Sequence, residues 1–468
     1  MWWKRVAGST WRWLYPGLRI KRWLLLAAIG FGVLLLGFAL LLGPKLAFAF
    51  GRLMRPLLQA LPGSVYSGLL MILGLVLLIL GLHQAVVSIR EALLHNRLTG
   101  NNKPLIELIF TRRYLENGPR VVTIGGGTGL SVLLRDLKLY TSNLTAVVTV
   151  TDDGGSSGRL RGELGILPPG DIRSCLLALA DTEPVMEKLF DHRFTAGSGL
   201  AGHSFGNLLI VAMAEMFGFQ EAVRLFGRVL AIRGRVYPVT LDLVQLEAVD
   251  VQGNLTRGQS ILYHQEGPLK RISLVPDRVK PLPEVLEAID RANVIVLGPG
   301  SLFTSIIPNL LVPGIVEAIV KARAPVFYIC NVATQQGETT GFSAADHVQA
   351  LLEHSSPDLL DYIVVNSDLT ISKEGLAFLK HHGSALVQPS YQDLRKMNSR
   401  VISAPLLDHK QVTRHDGRRL ARLIMDHALP PRRRSWTGRW EERLQHRRAG
   451  RQAEARQKAP ISASGGGG

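Results

Sequence analysis

Cysteine is scarce in this chain, since Cys175 and Cys330 are the only two among 468 residues. They lie far apart in apolar segments, which excludes a disulfide framework and a cysteine metal cluster and is typical of a reducing compartment. The sequence also lacks a Ser-His-Asp arrangement, a Cys/His metal spacing and a lysine in a catalytic motif. The catalytic residues are therefore unknown from the sequence, and no cofactor is certain.

Acidic residues are scarce at both ends of the chain. Residues 1–22 carry six Lys/Arg and no acid, and residues 430–458 carry ten Lys/Arg against three Glu. These ends supply most of the net charge of +17, so the middle is nearly neutral. Because a nucleic-acid-binding core would itself be basic, we expect no nucleic-acid partner. The ends are interpreted as a basic arm (1–22) and a basic, disordered tail (426–468).

Charge is absent from two long apolar segments. Residues 23–42 contain no charge, and neither do residues 64–82, where the apolar character continues to Ile89. A membrane-spanning helix needs ~20 such residues, so spans are predicted over about 23–42 and 64–89, within a hairpin at 23–97. The alternative for the first span is a cleaved signal peptide, but its apolar stretch is longer than usual for one and a second span follows. The alternative for the second span is a buried core helix.

Positive charges flank the two spans unequally. Six Lys/Arg precede the first span, three lie in the connection, and six follow the second span up to Arg120. Since loops rich in Lys/Arg stay in the cytoplasm, both outer flanks and the large domain are predicted to be cytoplasmic. Neither span contains Asp, Glu, Lys or Arg, so the hairpin is interpreted as a membrane anchor rather than an ion path.

After a linker at 98–118, apolar strands alternate with helices through residues 119–425. Continuous apolar strands separated by helices indicate a parallel sheet that is covered on both faces. Residues 236–279 have a shorter, alternating pattern and are interpreted as a small β-rich insertion. The predicted fold class is α/β, a parallel sheet with helices on both faces and a small β-rich insertion, preceded by a two-helix transmembrane hairpin.

A glycine-rich turn follows the first strand of this domain. It consists of Gly125, Gly126, Gly127, Thr128 and Gly129. Glycines let a phosphate approach the backbone, and the helix that follows would direct free N–H groups at an anion. The dinucleotide fingerprint would need a third glycine at Leu130, and a P-loop would need Gly-Lys-Ser/Thr, so the turn is neither. A tight turn without a ligand is the alternative.

Acidic and polar residues follow the next strand. The carboxylates of Asp152 and Asp153 suit two roles, which are binding Mg²⁺ beside phosphates and binding a ribose hydroxyl. The alternative is a structural role, because Asp-Gly is a common pair in turns. Mg²⁺ is the one cofactor that these residues suggest. Gly170 and Asp171 begin a predicted helix, where Asp171 is either a ligand contact or an N-cap.

Further candidates lie at later strand ends and on one predicted helix. His203 and Asn207 are four residues apart on that helix, either orienting a ligand or forming a buried polar pair. A second glycine turn that suits a phosphate or sugar holds Gly298, Pro299, Gly300, Ser301 and Thr304. Pro308 is expected to kink the helix after it. The loop after a later strand offers amide and hydroxyl donors from Asn331, Thr334 and Gln335, which suit a uracil edge or sugar hydroxyls. The alternative is that these groups are simply solvated in a loop.

Six segments in order carry a family resemblance. They are TIGGGTGLSVLLRDLK, TVTDDGGSSGRLR, LPPGDIR, HSFGNLL, LGPGSLFTSIIPNLLVPGI and NVATQQGET. Together with His415-Asp416, they resemble the YvcK family of gluconeogenesis factors, within the CofD-like group named for 2-phospho-lactate transferases. The resemblance covers about residues 119–420. Gln259, Ala333 and Gln336 depart from the residues common in the family.

The resemblance implies a Rossmann-like domain, a homo-oligomer such as a dimer, and binding of UDP-N-acetylglucosamine-like sugars in support of cell-wall synthesis and cell shape during gluconeogenic growth. By motif match, the nucleotide-sugar pocket would hold Gly126–Gly129, Asn207 and Gly298–Ser301, and Asp152 and Asp153 would hold a metal. The leading hypothesis is a membrane-tethered, cytoplasmic UDP-sugar-binding regulator. The alternatives are a Mg²⁺-dependent 2-phospho-lactate-type transferase and an NAD(P)-dependent oxidoreductase, which Leu130 disfavours.

Overall fold

A computed structural model describes residues 20–43, 63–98, 114–181, 184–259 and 269–428. The basic arm up to residue 19, linker residues 99–113 and the tail from residue 429 lie outside the described residues. The chain divides into two compact units. The first holds the N-terminal helices and the described residues of Asp181–Glu187, and the second holds the rest of the chain from Pro119.

Two long helices make up most of the first unit, α1 (Ile20–Leu42) and α2 (Gly63–Leu98). Each contains a stretch long and apolar enough to cross a membrane, Trp23–Leu41 and Ser67–Gln84. These stretches coincide with the two predicted spans, because both follow from the same uncharged apolar runs.

The two helices pack through small residues. A Cβ atom added to Gly74 would lie 2.5 Å from the backbone nitrogen of Leu34, and one added to Gly30 would lie 2.5 Å from that of Leu78. Large apolar side chains instead point outward from the pair, among them Leu25, Ile29, Ile72 and Ile79. Close backbone contact at small residues, with large apolar residues outside, is typical of helix pairs in membranes.

The described residues of the second unit contain ten strands. They are β1 (Val121–Gly125), β2 (Leu144–Val148), β3 (Arg235–Pro238), β4 (Gln245–Asp250), β5 (Leu255–Arg257), β6 (Leu269–Val275), β7 (Val294–Leu297), β8 (Val326–Ile329), β9 (Tyr362–Asn366) and β10 (Arg400–Ala404). Seven of them form one parallel sheet in the order β10-β9-β8-β7-β1-β2-β3. Every residue of β1, β7 and β8 is buried, as expected for a sheet covered on both faces. The predicted α/β fold class is confirmed.

The helices after Pro119 lie between these strands, and the last of them follows β10. They are α3 (Gly127–Leu137), α4 (Gly155–Leu164), α5 (Gly170–Leu179), α6 (Pro184–Asp191), α7 (Phe205–Phe217), α8 (Phe219–Val229), α9 (Pro283–Asp290), α10 (Ile307–Leu310), α11 (Ile315–Lys321), α12 (Ala344–Glu353), α13 (Lys373–His381), α14 (Tyr391–Leu394) and α15 (Gly417–Ala428). A π-helical turn at Leu302–Ile306 precedes α10, and Pro308 lies in the first turn of α10. Pro308 therefore does not kink a continuous helix. The segment Leu302–Leu310 and helix α11 are both apolar and meet at an angle of 75°. Their residues Leu302, Ile315 and Ile319 belong to the buried hydrophobic core.

The small insertion is a three-stranded antiparallel sheet in the order β5-β4-β6. It begins later than the sequence pattern indicated, because β3 pairs in parallel with β2 and forms the edge of the main sheet. The burial of β3 alternates along the strand, because successive side chains point to opposite faces of the sheet and one of these faces is less covered at β3. This alternation made residues 236–238 resemble the insertion.

Candidate functional site

Two glycine turns meet at the centre of the main sheet. The strand order reverses between β1 and β7, and open α/β sheets bind ligands at the carboxyl ends of strands at such a point. The turn after β1 touches the turn after β7, because a Cβ atom at Gly129 would lie 2.8 Å from the carbonyl oxygen of Pro299. Gly127 has a φ of +57°, which favours glycine. The chain reversal and the close contact both require these glycines.

A cavity of about 700 Å³ opens above these turns. Pockets of this size commonly hold small molecules and cofactors. Twelve of the predicted site residues line the cavity, namely Gly126, Gly127, Thr128, Gly129, Asp152, Asp171, Pro299, Gly300, Ser301, Asn331, Thr334 and Gln335. Residues from four predicted strand ends and from the start of α5 are thus brought together.

Seven predicted residues do not line the cavity, namely Gly125, Asp153, Gly170, His203, Asn207, Gly298 and Thr304. Gly125 is the last residue of β1, and its carbonyl accepts a hydrogen bond from the Thr149 amide. The Gly170 amide donates to Ser157 Oγ at 3.1 Å, and Thr304 Oγ1 donates to Glu338 Oε1 at 3.0 Å. These polar groups are paired within the protein and stabilise the walls of the site.

His203 and Asn207 are close together for a different reason than the predicted helical spacing. The helix α7 begins at Phe205 with Ser204 as its N-cap, so His203 precedes it. Both side chains contact Ser156 Oγ, His203 through Nδ1 at 2.9 Å and Asn207 through Nδ2 at 3.0 Å. Both are buried, and their contacts hold the first turn of α4, which follows the Asp152-Asp153 turn.

Asp152 and Asp153 have different surroundings. Asp152 Oδ1 accepts a hydrogen bond from the Gly154 amide at 3.0 Å, as in an Asp-Gly turn, and Asp152 also lines the cavity. Burial raises the pKa of Asp152, although hydrogen bonds from Gly154 and Ser157 oppose the rise. Asp153 Oδ2 accepts from the Gln259 amide at 2.9 Å and lies outside the cavity lining.

Asp171 lies against the first glycine turn. A Cβ atom at Gly126 would be 2.6 Å from Asp171 Oδ2, and one at Gly127 would be 2.8 Å from Oδ1. Burial, and then the charge of Asp152, raise the pKa of Asp171 to about 7, while Arg173 and the Gly127 amide oppose the rise. The carboxylate that shares the cavity with Asp152 is therefore Asp171. Among the described residues, no group of three or more His, Cys, Asp or Glu side chains could hold a metal by itself.

Amide side chains form a short chain along another part of the cavity. Gln335 Nε2 donates to Ser301 Oγ at 2.8 Å, and Asn331 Nδ2 donates to Gln335 Oε1 at 3.4 Å. Thr334 Oγ1 accepts from the Ala385 amide at 2.9 Å, which ties the loop after β8 to the segment after α13. Ser301 and Asn331 are consequently held in place for contact with a ligand.

The C-terminal part of the unit supplies cavity residues that the strand-end pattern did not predict. They include Phe378, His382, Ser384, Thr413, Arg414 and His415. His415 is 6% exposed, and its Nε2 donates to the carbonyl oxygen of Cys330 at 3.0 Å. Burial lowers the pKa of His415 to about 4, so the imidazole is neutral and Nδ1 is a hydrogen-bond acceptor. The only sequence signal was the resemblance at His415-Asp416.

Comparison with known proteins agrees with this architecture. The model of the family described as 2-phospho-L-lactate transferase CofD matches residues 121–407. The gluconeogenesis factor of Bacillus subtilis (strain 168) is 46% identical over 310 residues, which cover 66% of this chain and 98% of that protein. A crystal structure of a UPF0052-family protein from Bacillus halodurans has a TM-score of 0.64 and 45% identity, covering 66% of this chain and 99% of its own.

Other relatives share a longer part of the chain. A protein of Nostoc sp. (strain PCC 7120) is 42% identical over 422 residues, which cover 88% of this chain and 91% of the relative. An alignment of that length extends beyond the residues that the family model matches. The similarity therefore includes the α/β unit but is not confined to it. The chain belongs to the CofD-like family of gluconeogenesis factors.

Proposed function

We propose that this protein is a membrane-tethered regulator that binds a UDP-sugar such as UDP-N-acetylglucosamine and links gluconeogenic growth to cell-wall synthesis and cell shape. The contact between the glycine turns of β1 and β7 at the reversal of strand order is the main support. It exposes backbone and small polar groups to a cavity of about 700 Å³, as an extended phosphate-containing ligand requires.

The chemistry of the cavity wall suits binding more than catalysis. Asn331, Gln335 and Ser301 present amide and hydroxyl groups that can pair with a base or sugar. His415 is held neutral by burial, and its Nε2 is already paired with a backbone carbonyl. The name gluconeogenesis factor, carried by the Bacillus subtilis relative, likewise describes a role in carbon metabolism rather than a reaction.

The membrane tether is the second part of this proposal. Both α1 and α2 contain a stretch that can span a bilayer, and the positive charges favour a cytoplasmic position for the α/β unit. Attachment to the cytoplasmic membrane would bring a sensor of a sugar nucleotide to the surface where cell-wall precursors are used. A homo-oligomer, such as a dimer, remains part of the proposal from the family resemblance alone.

A Mg²⁺-dependent transferase is the second candidate, and the position of Asp171 favours it. Asp152 and Asp171 both line the cavity, and Mg²⁺ is commonly held by one or two carboxylates together with the phosphates of a substrate. In this alternative, Mg²⁺ would neutralise phosphate charge during the transfer of a phospho-lactyl-type group. Asp153 does not line the cavity, and its Oδ2 accepts a hydrogen bond from the Gln259 amide.

Calorimetry distinguishes the two candidates. The chain is titrated with UDP-N-acetylglucosamine with and without Mg²⁺, and the sugar nucleotide is recovered and analysed. Binding without Mg²⁺ and recovery of an unchanged ligand are expected of a regulator. A ligand that binds only with Mg²⁺, or that is recovered altered, would favour the transferase, and no binding in either condition would contradict the UDP-sugar proposal.

A further inference from the structure

Strand pairing between β1 and β7 ends just before the two glycine turns. The Gly298 amide donates to the carbonyl oxygen of Ile124 at 2.8 Å, immediately after the last paired residue of β7, Leu297. Beyond this bond the chain after β7 stays close to the first turn, since a Cβ atom at Gly126 would lie 3.5 Å from the Cβ atom of Ser305. Contacts other than strand pairing must therefore hold the two turns at the separation that shapes the cavity.

Asn309 connects the two sides through its side-chain amide. Its Nδ2 atom donates to the carbonyl oxygen of Gly125 at 3.2 Å and to that of Ser305 at 2.7 Å. Both acceptors are carbonyl oxygens, so the amide nitrogen, and not Oδ1, must face them. Gly125 is the last residue of β1, and Ser305 belongs to the π-helical turn that follows the second glycine turn. One side chain thus bridges the two segments that carry the turns.

The bridge leads directly to residues of the cavity wall. Ser305 lines the cavity, and its amide donates to the carbonyl oxygen of Ser301 at 2.9 Å. Ser301 also lines the cavity, and its hydroxyl accepts a hydrogen bond from Gln335. Asn309 itself is fully buried on α10 and does not line the cavity. It can therefore influence a ligand only through the residues that it holds in place.

The oxygen of the Asn309 side chain is left unused. Oδ1 is buried and has no hydrogen-bond partner in the part of the chain that the structure describes. A buried acceptor without a partner is unfavourable, and an apolar side chain of similar size would avoid that cost. What an apolar side chain could not supply is the pair of hydrogen bonds from Nδ2, which points to these bonds as the reason for an asparagine at this position.

We infer that Asn309 is a positioning residue, which fixes the distance between the two glycine turns and thereby the affinity of the cavity for the phosphate groups of its ligand. This inference rests on the proposed function, because it concerns the phosphates of that same UDP-sugar. Two turns that bind one extended anion need a fixed separation, since binding groups lose affinity when the residues that support them are loose.

The test compares variants of the full chain in detergent by calorimetry, with UDP-N-acetylglucosamine and with inorganic pyrophosphate. Asn309→Asp keeps the size of the side chain but puts an acceptor oxygen where the donor stood, so the carbonyls of Gly125 and Ser305 are repelled. We expect both affinities to fall by about 10-fold or more. Asn309→Leu removes the donor together with the unpaired oxygen and should weaken binding likewise, which keeps the test valid if the carboxylate prevents folding.

The matched control is Asn366→Asp, the same exchange at another buried asparagine. Asn366 also donates its Nδ2 to a backbone carbonyl, that of Asp368 at 2.6 Å, and it does not line the cavity. The bond that its Oδ1 accepts from the Leu406 amide survives the exchange, because an aspartate keeps that oxygen. This control should leave both affinities unchanged, and circular dichroism checks the fold of each variant.

Amide hydrogen exchange of the ligand-free proteins gives a readout that a general loss of stability would not reproduce. Asn309→Asp should accelerate exchange in peptides that cover residues 125–130 and 299–306, while β9 and β10 exchange as in the wild type. Wild-type exchange in both turns would overturn the positioning role. So would an equal acceleration throughout the α/β unit, because Asn309 would then stabilise the fold as a whole.

The two ligands separate the inference from the proposed function. Wild-type affinity for pyrophosphate in Asn309→Asp would overturn the positioning role, whatever the protein does with UDP-sugars. Pyrophosphate binding that depends on Asn309, without any affinity for the UDP-sugar, would support the positioning role and contradict the proposed ligand. If the wild-type chain bound neither ligand, both ideas would be wrong.

Discussion

Under the proposed function, we expect the charge of one residue, Asp171, to control how readily an anionic ligand enters the cavity. Its carboxylate lies against the glycine turn and has a pKa near 7, so it ionises in the physiological range. Ionisation adds a negative charge beside the place where a phosphate would bind. In the absence of Mg²⁺, we expect the affinity of the wild type for UDP-N-acetylglucosamine to fall as the pH rises from 6 to 8.

Asp171→Asn should remove this pH dependence and raise the affinity at pH 8 by about 10-fold in the absence of Mg²⁺, because one nearby charge is lost. Calorimetry at pH 6, 7 and 8 measures the effect. The matched control is Asp153→Asn, since Asp153 lies outside the cavity lining and bonds the Gln259 amide. If Asp171→Asn instead abolished binding that required Mg²⁺, Asp171 would be a metal ligand and the transferase would be the better interpretation.

A second buried carboxyl group, Glu338, should affect stability rather than binding. It is fully buried, accepts a hydrogen bond from Thr304 through Oε1, and has no partner for Oε2. Burial raises its pKa from 4.5 to about 7 in the folded state. Between these values the folded chain holds a proton that the unfolded chain releases, so the free energy of unfolding falls as the pH rises through this window.

Glu338→Gln should therefore be more stable than the wild type at pH 8, by up to roughly 3 kcal/mol, and similar to it at pH 5. Urea unfolding of a fragment that begins at Pro119 measures the free energy of unfolding of both proteins. A crystal structure that matches 66% of this chain over 99% of its own length supports independent folding of that fragment. The control is Glu317→Gln, an exposed position on α11. Parallel pH profiles for wild type and Glu338→Gln would contradict the assignment.

The site residues were predictable where the chemistry was local. The glycines at 126, 127 and 129 face the cavity because a strand that ends in a tight turn places the turn at the edge of the sheet. The prediction that His203 lies on a helix was wrong, because Ser204 is the N-cap and the helix begins only at Phe205. Arg414 comes from a loop more than a hundred residues from either glycine turn, and only the tertiary structure brings it to the cavity.

The elements themselves followed closely from hydrophobic patterns. Buried strands such as β1 and β7 read as short apolar runs, since both of their faces are covered. The edge strand β3 was assigned to the insertion because its burial alternates like that of a half-exposed strand. The π-helical turn at Leu302–Ile306 has no apolar period of its own, so the sequence indicated only a helix there.

The close packing of helices α1 and α2 leads to a prediction about the contact between them. Gly74 has no room for a side chain, because a Cβ atom would lie 2.5 Å from the Leu34 nitrogen, whereas Gly68 has open space around it. Gly74→Leu should separate the helices at a cost of about 1–3 kcal/mol, and Gly68→Leu should be tolerated. Spin labels at the exposed positions Leu41 and Leu69 report the separation. Equally narrow distance distributions for both variants would contradict this packing.

For the whole molecule, the lengths of the relatives distinguish two parts of the chain. The Bacillus subtilis protein matches 66% of this chain over nearly its whole length. The Nostoc relative matches 88%, so its similarity includes residues outside the α/β unit. Most residues that line the cavity fall within residues 121–407, which the family model matches. Under the proposed function, the hairpin would determine where the protein works and the α/β unit would determine what it binds.

Deletion of residues 1–98 tests this division of roles. We expect the full chain to stay in the membrane fraction after carbonate extraction, because each span has about the 20 apolar residues that insertion requires. The deletion should move the protein to the soluble fraction and leave its affinity for UDP-N-acetylglucosamine unchanged within about twofold, since no cavity residue is removed. A control that exchanges the two spans for unrelated apolar helices should restore membrane attachment. A full chain released by carbonate would disprove insertion, and a loss of affinity in the deletion would show that the N-terminal helices contribute to the site.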